Sequence, residues 1–163
     1  MDAVSADSDH GARPLSKEDI ERLLTIDRAH VGHSRRRFFD KRFAAASAHP
    51  DDFIHFGVMR GGSLRGFVMA RIVRGEFGRE DAIAVLDALG VEPVSQERGI
   101  GQALIDELAR VLRGRGVASL HSQAEWKNHN LLRFFDASGF RLAPRLGLER
   151  PVAELFEEPA AED

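Results

Sequence analysis

Apolar residues recur at helical spacing through Ile20, Leu23, Leu24 and Ala29, which predicts an amphipathic helix with one buried stripe. Just upstream, Ser16 followed by Asp19 is close to a capping box and marks its start. A second helix is expected from Ser34, carrying Phe38, Phe39 and Phe43 and ending before Pro50. The pattern then changes. Residues 53–59 and 64–73 are apolar, β-rich runs separated by Arg60-Gly61-Gly62-Ser63, which predicts a hairpin. Residues 75–80 read as a loop and 82–91 as a third strand. Ile100, Leu104, Leu108, Val111 and Leu112 form one stripe of a helix over 100–113, closed by Gly114 and Gly116. A strand over 117–123, a helix over 128–138 with Leu131, Leu132 and Phe135 inward, and a strand over 140–149 complete the series. Two helices, three antiparallel strands, then helix, strand, helix and strand predict a mixed α/β domain around one central sheet.

Composition narrows the class. At 163 residues, 43% hydrophobic and 30% charged, the chain suits one globular domain with a full core. It has no run of the roughly 18 apolar residues a membrane span needs and no apolar leader, so neither a membrane nor a secretory role is expected. Cysteine is absent, which removes disulfides, thiolate nucleophiles and cysteine-ligated zinc and fits a reducing cytoplasm. Most of the acid lies at the ends. Asp2, Asp7, Asp9 and Arg13 give residues 1–13 a net −2, and residues 149–163 carry −5 through six carboxylates and Arg150. Residues 1–12 and 151–163 are expected to be disordered acidic tails around one domain at 13–150. The total of −3 therefore leaves the centre at +4, compatible with a phosphorylated ligand but too weak for a nucleic-acid surface.

The chemistry concentrates in Leu89-Gly90-Val91-Glu92-Pro93-Val94-Ser95-Gln96-Glu97-Arg98-Gly99-Ile100-Gly101-Gln102. A strand ends, a short loop follows, and two glycines open an amphipathic helix. Loop amides and the first free helix N–H groups form a positive nest for phosphate oxygens. Gly99 and Gly101 allow close approach, and Arg98 adds a charged donor at the rim. A Rossmann turn would need its glycines directly after the strand and a third at position 104, which is Leu. A P-loop would need Lys-Ser/Thr after Gly101, where Gln102 stands. A glycine-permitted helix start with no ligand remains the bland alternative.

The wider arrangement is more specific. Gln96-x-x-Gly99-x-Gly101-x-Ala103 after Val-x-Pro resembles the acetyl-CoA pyrophosphate motif of the GNAT N-acetyltransferase superfamily. Asn128, seven residues before Phe135 and followed by Gly139-Phe140, is similar to that family's second signature. Arg13-Pro14-Leu15 with Asp19 resembles its approach to the first helix. The resemblance spans about residues 12–150. It implies an α/β (α+β) fold with a mostly antiparallel central sheet, splayed in a V between the strand ending at Val91 and the strand at 117–123, with helices on both faces. It also implies acetyl-CoA as cosubstrate, its diphosphate on residues 96–102, its pantetheine arm along Leu89, Gly90 and Val91, and contacts from Asn128 and Phe135. The Val91 N–H would polarise the thioester carbonyl, a contribution of roughly 3–4 kcal/mol for one such donor.

Acyl transfer from a thioester to nitrogen needs a neutral amine. Deprotonating a lysine-like amine at pH 7 costs about 4–5 kcal/mol, and an α-amine only about 1. The family commonly supplies an acid from a Tyr where this chain has Phe135, and the chain contains no Tyr; water, Ser138 or His129 would have to replace it. Alternation along 82–91 puts Val85, Asp87, Leu89 and Val91 on one face, making Asp87 the leading candidate base. Glu125 and Glu76 are the secondary ones. His30, His33, His49 and His55 lack metal-ligand spacing, so no metal is expected. The acceptor would be a small-molecule amine or a peptide N-terminus, with Arg35, Arg36 and Arg37, the phenylalanines after them, Glu80, Asp81 and Trp126 near its pocket. An acyl-CoA-binding sensor without activity is the rival reading. The strand at 140–149 would offer a pairing edge, leaving monomer and homodimer both open.

Overall fold

The computed structural model describes residues 11–96 and 99–152. The acidic tails expected at 1–12 and 151–163 therefore fall almost wholly outside the described residues. Ala12, expected in the first of them, opens a short strand instead. The chain divides into two compact units, one ending at Asn128 and the other beginning at His129.

In the first unit a five-stranded sheet has the order β1 (Ala12–Pro14), β2 (Phe53–Arg60), β3 (Ser63–Val73), β4 (Ile83–Val91), β5 (Leu120–His121). Each neighbouring pair among the first four is antiparallel, and β5 runs parallel to β4. The β2–β3 hairpin turns on Gly61 and Gly62, at φ 57° and 71°, a left-handed pair whose twist suits a two-residue turn. Three helices pack on this sheet: α1 (Ile20–Val31), α2 (Arg36–Ala48) and α3 (Ile100–Gly114).

The expected entry to α1 forms. Arg13 holds both carboxylate oxygens of Asp19 at 2.8 and 2.7 Å, while the Ser16 N–H donates to Asp19 Oδ2 at 2.8 Å. This caps the 3₁₀ turn Lys17–Asp19 that leads into the helix. Ile20, Leu23, Leu24 and Ile26 of α1 join Phe39 and Phe43 of α2 and Leu64, Phe67, Met69 and Ala88 of the sheet in one core. Ala29, expected on that stripe, is exposed.

Two glycines set how closely the helices approach. A Cβ on Gly90 would lie 2.6 Å from the Phe67 ring and 3.1 Å from Ile26 of α1. One on Gly66 would lie 2.8 Å from Ile100 and 3.1 Å from Leu104 of α3. Gly66 and Phe67 are neighbours on a pleated strand and face opposite ways, so α1 and α3 cover opposite faces of the sheet.

Two predicted strands differ from the structure. The run 117–123 shortens to Leu120–His121, paired with Ala84 and Val85 alone. Beyond that pair the β4 edge diverges, and the Ser-rich segment does not follow it. In the second unit, α4 (His129–Ala137) forms as expected, with Phe135 packed on Phe140 at 4.7 Å between centroids. Residues 140–149, however, form no strand. Pro144 cannot donate to a ladder and Gly147 weakens one, and Leu142, Leu146 and Leu148 stay at least 88% exposed. The homodimer edge expected there is therefore missing among the described residues. Among the described residues no helix is long and apolar enough to cross a membrane.

Candidate functional site

The site grows from one irregularity in β4. Met69 pairs with Ala88 and Ala70 with Leu86, so Asp87 is an extra residue, a bulge that bends the strand and reverses its facing. The strand leaves its β5 neighbour just before this point. From Leu86 to Val91 it keeps β3 on one side and has no β5 residue paired on the other. The Glu92 N–H donates to the Arg65 carbonyl at 2.7 Å, across toward β3. By strand alternation the N–H groups of Leu89 and Val91 then point to the opposite, unpaired edge.

The bulge corrects the expectation for Asp87. Its side chain does not share a face with Leu89 and Val91. It turns to the α2 side, only 5% exposed, where Arg71 Nε donates to Oδ1 at 3.0 Å and Arg42 Nε lies 3.2 Å from Oδ2. The second contact is an ion pair out of line for a hydrogen bond, leaving Oδ2 and Arg42 Nε without one. Arg42 also lies over the Phe38 ring at 5.2 Å. Two guanidiniums thus engage the Asp87 carboxyl group on the α2 side. Strict alternation had no means of registering an inserted residue.

Beyond Val91 the loop is fixed by Glu92. It accepts from Arg22 of α1, from Arg65 Nη1 at 2.6 Å and from Ser95 Oγ at 3.1 Å. These donors, Arg22 foremost, hold its carboxyl down to about 2, against 4.5 normally. Arg65 is itself the extra residue of a second bulge, between Val58–Gly66 and Met59–Leu64. Ser95 is buried, and its N–H donates to the Glu92 carbonyl at 2.8 Å. Sequence reasoning passed over Glu92, although a carboxylate between Val91 and Pro93 was the available signal.

The loop delivers the chain to α3 through Gly99, whose φ of 73° is a left-handed conformation that favours glycine. The first intrahelical bond there runs from the Ala103 N–H to the Gly99 carbonyl at 3.0 Å. The amides of Ile100, Gly101 and Gln102 precede it and form the open, positive end of the helix. Their side chains are otherwise engaged: Ile100 is buried on Gly66, and Gln102 Nε2 donates along the helix to Asp106 at 2.8 Å. Gln96 is exposed and its N–H closes the preceding 3₁₀ turn on Pro93. Glu97 and Arg98 lie outside the described residues.

The remaining candidates scatter. Glu76 sits in an exposed turn and Glu125 in an exposed segment before Asn128, whose N–H donates to the Glu125 carbonyl at 2.8 Å. Neither is brought to the β4 edge by any described contact. Phe135 belongs to the second unit. Of the arginine run, Arg35 is held by buried Asp27 and stacks over Phe38 and Phe39 at 5.1 and 5.5 Å, and Arg36 is paired with Glu21. Both therefore build the α1–α2 corner. Among the described residues no cluster of three His, Cys, Asp or Glu side chains is placed to hold a metal.

A half-unpaired strand edge leading into an open helix N-terminus suits an extended ligand with a peptide-like arm and an anionic end. Family comparison agrees with that geometry, since the model of the Acetyltransferase (GNAT) family matches residues 18–140. The chain belongs to this family and is an acyltransferase. Among curated relatives, the [ribosomal protein bS18]-alanine N-acetyltransferase of Escherichia coli (strain K12) is 27% identical over 129 residues, covering 76% of this chain and 81% of the relative. The solved ribosomal-protein-S18-alanine N-acetyltransferase from Escherichia coli superposes with a TM-score of 0.66 at 24% identity, over 82% of this chain and 79% of the other. AAC(6')-Iy, solved with a bisubstrate analog of CoA and acetylneamine, gives 0.70 at 21% identity, over 89% and 99%. At these identities the structural likenesses speak for a shared acetyltransferase fold.

Proposed function

We propose that the chain transfers an acetyl group from acetyl-CoA to an α-amine, by direct attack in a ternary complex. The observation that carries the donor half is the β4 edge. Leu89 and Val91 present N–H groups there, beside the glycine-led amides at the start of α3. A pantetheine arm carries amides able to pair with such an edge, and its diphosphate suits the amides of Ile100, Gly101 and Gln102. The bound thioester supplies an activated acyl carbon, and a Leu89 or Val91 N–H is available to its carbonyl oxygen as charge develops.

The acceptor half rests on what the site lacks. Asp87 is turned to the α2 side and paired with two arginines, and Glu76 and Glu125 are exposed with no described contact to the edge. With no carboxylate left unengaged at the edge among the described residues, an amine that needs little help is favoured. An α-amine costs about 1 kcal/mol to neutralise at pH 7, where a lysine costs about 4–5. The similarity to a ribosomal-protein alanine acetyltransferase points the same way, toward a peptide N-terminus. CoA release from acetyl-CoA, measured across a panel of amines at pH 7, tests the reading. Peptides with small N-terminal residues should turn over well ahead of lysine ε-amines. Tight acetyl-CoA binding without turnover on any amine would overturn it in favour of a sensor.

A further inference from the structure

The last turn of α1 places one further titratable group against the β4 edge. His30 Nε2 lies 2.6 Å from the Val91 carbonyl oxygen. That carbonyl shares its side of the strand with the Val91 N–H, so the imidazole sits on the unpaired edge. A carbonyl can only accept, so the short contact requires Nε2 to carry the proton. Nδ1 is then the lone-pair nitrogen, on a side chain that is exposed. The carbonyl therefore selects one tautomer and gives the ring a fixed anchor.

Resting on the acetyl-transfer reading above, we propose that His30 is the general base of the reaction. The amine nitrogen forms its bond to the acyl carbon as the carbon–sulfur bond breaks. The proton shed by nitrogen passes to His30 Nδ1, directly or through one water. The sulfur leaves as thiolate and recovers that proton from the imidazolium or from solvent. The Nε2–H bond to Val91 survives both charge states, so the ring need not reorient between them. An imidazole suits an α-amine better than a lysine amine, because the α-amine holds its proton less tightly.

The acidic groups about it are engaged by arginines. Asp27, one turn earlier in α1, is bound by Arg35. Glu92, next to Val91, is bound by Arg22 and Arg65. Arg28 is exposed in the same turn, and His33, in the following turn, lies with Nδ1 3.1 Å from the Val31 carbonyl.

The test compares wild type with His30→Gln, which can keep a donor to Val91 but cannot take a proton, and with His33→Gln as control. Ring-nitrogen NMR of the wild type should show His30 as the Nε2–H tautomer. With wild-type turnover on an α-amine peptide established, His30→Gln should lower kcat about 100-fold and remove the acid limb of the pH profile. Acetyl-CoA affinity should stay unchanged, and His33→Gln should behave as wild type. A His30→Gln enzyme with wild-type kcat and an intact acid limb would overturn the assignment while leaving the acetyltransferase reading standing. An Nδ1–H tautomer, or a loss confined to acetyl-CoA affinity, would overturn it equally. Absence of turnover in the wild type itself would instead sink the reading on which the assignment rests.

Discussion

At the scale of single residues, two groups tie stability to pH. His55 of β2 is held mainly by burial, and secondarily by nearby Arg42, down to about 4 against 6.5 normally. Its ring lies between those of Phe43 and Phe53, at 5.6 and 5.7 Å, and its Nε2 lacks a hydrogen bond. Between those two pH values the unfolded chain binds the proton that the folded one refuses, so stability falls as pH drops from 6.5 toward 4. Glu92 acts lower down. Its carboxyl near 2 gives stability that is present above about 4.5 and lost as pH falls through 2. Denaturant unfolding followed from pH 7 to pH 3 should therefore show a falling midpoint across the range. His55→Leu should flatten the upper part and Glu92→Gln the lower part, and Glu92→Gln should also be less stable at pH 7. Equal slopes in all three proteins would contradict these assignments.

At the scale of elements, periodic signals read well and local irregularities did not. The four α-helices of the described residues could be placed from apolar spacing and punctuation, because helix period and glycine stops are local properties. Strands β2, β3 and β4 were legible for the same reason. The two bulges were not. Each inserts a residue, Arg65 or Asp87, without altering composition, and each reverses the facing of the next residues along its strand. This is why the facing expected of Asp87 differs from the structure, whereas the backbone role proposed for Leu89 and Val91 does not depend on side-chain facing. The strand at 140–149 failed differently: its apolar–polar alternation is real, but a strand also needs a partner. With Asp87 bridging α2 and β3, Asp87→Asn should leave two guanidiniums without a counter-charge. It should destabilise the fold by about 2 kcal/mol, read as a lower urea midpoint. Loss of turnover with no loss of stability would return Asp87 to the role of base.

At the scale of the whole molecule, family and geometry meet. The family is one of acetyltransferases, and in the proposed reading the β4 edge with the start of α3 is the place for the donor. The proposed acceptor, an α-amine, is the one that needs least help from a base. The residues that build this region, from Arg22 and Asp27 to Glu92 and Gly99, mostly hold one another, so a change at the helix start should act on the ligand and leave the fold in place. Titration calorimetry with acetyl-CoA, on wild type and Gly101→Glu, tests this most directly. A single site per chain should appear in the wild type, and it should vanish in Gly101→Glu while the thermal midpoint stays within a few degrees. No heat from the wild type, or equal affinity in both proteins, would contradict the account.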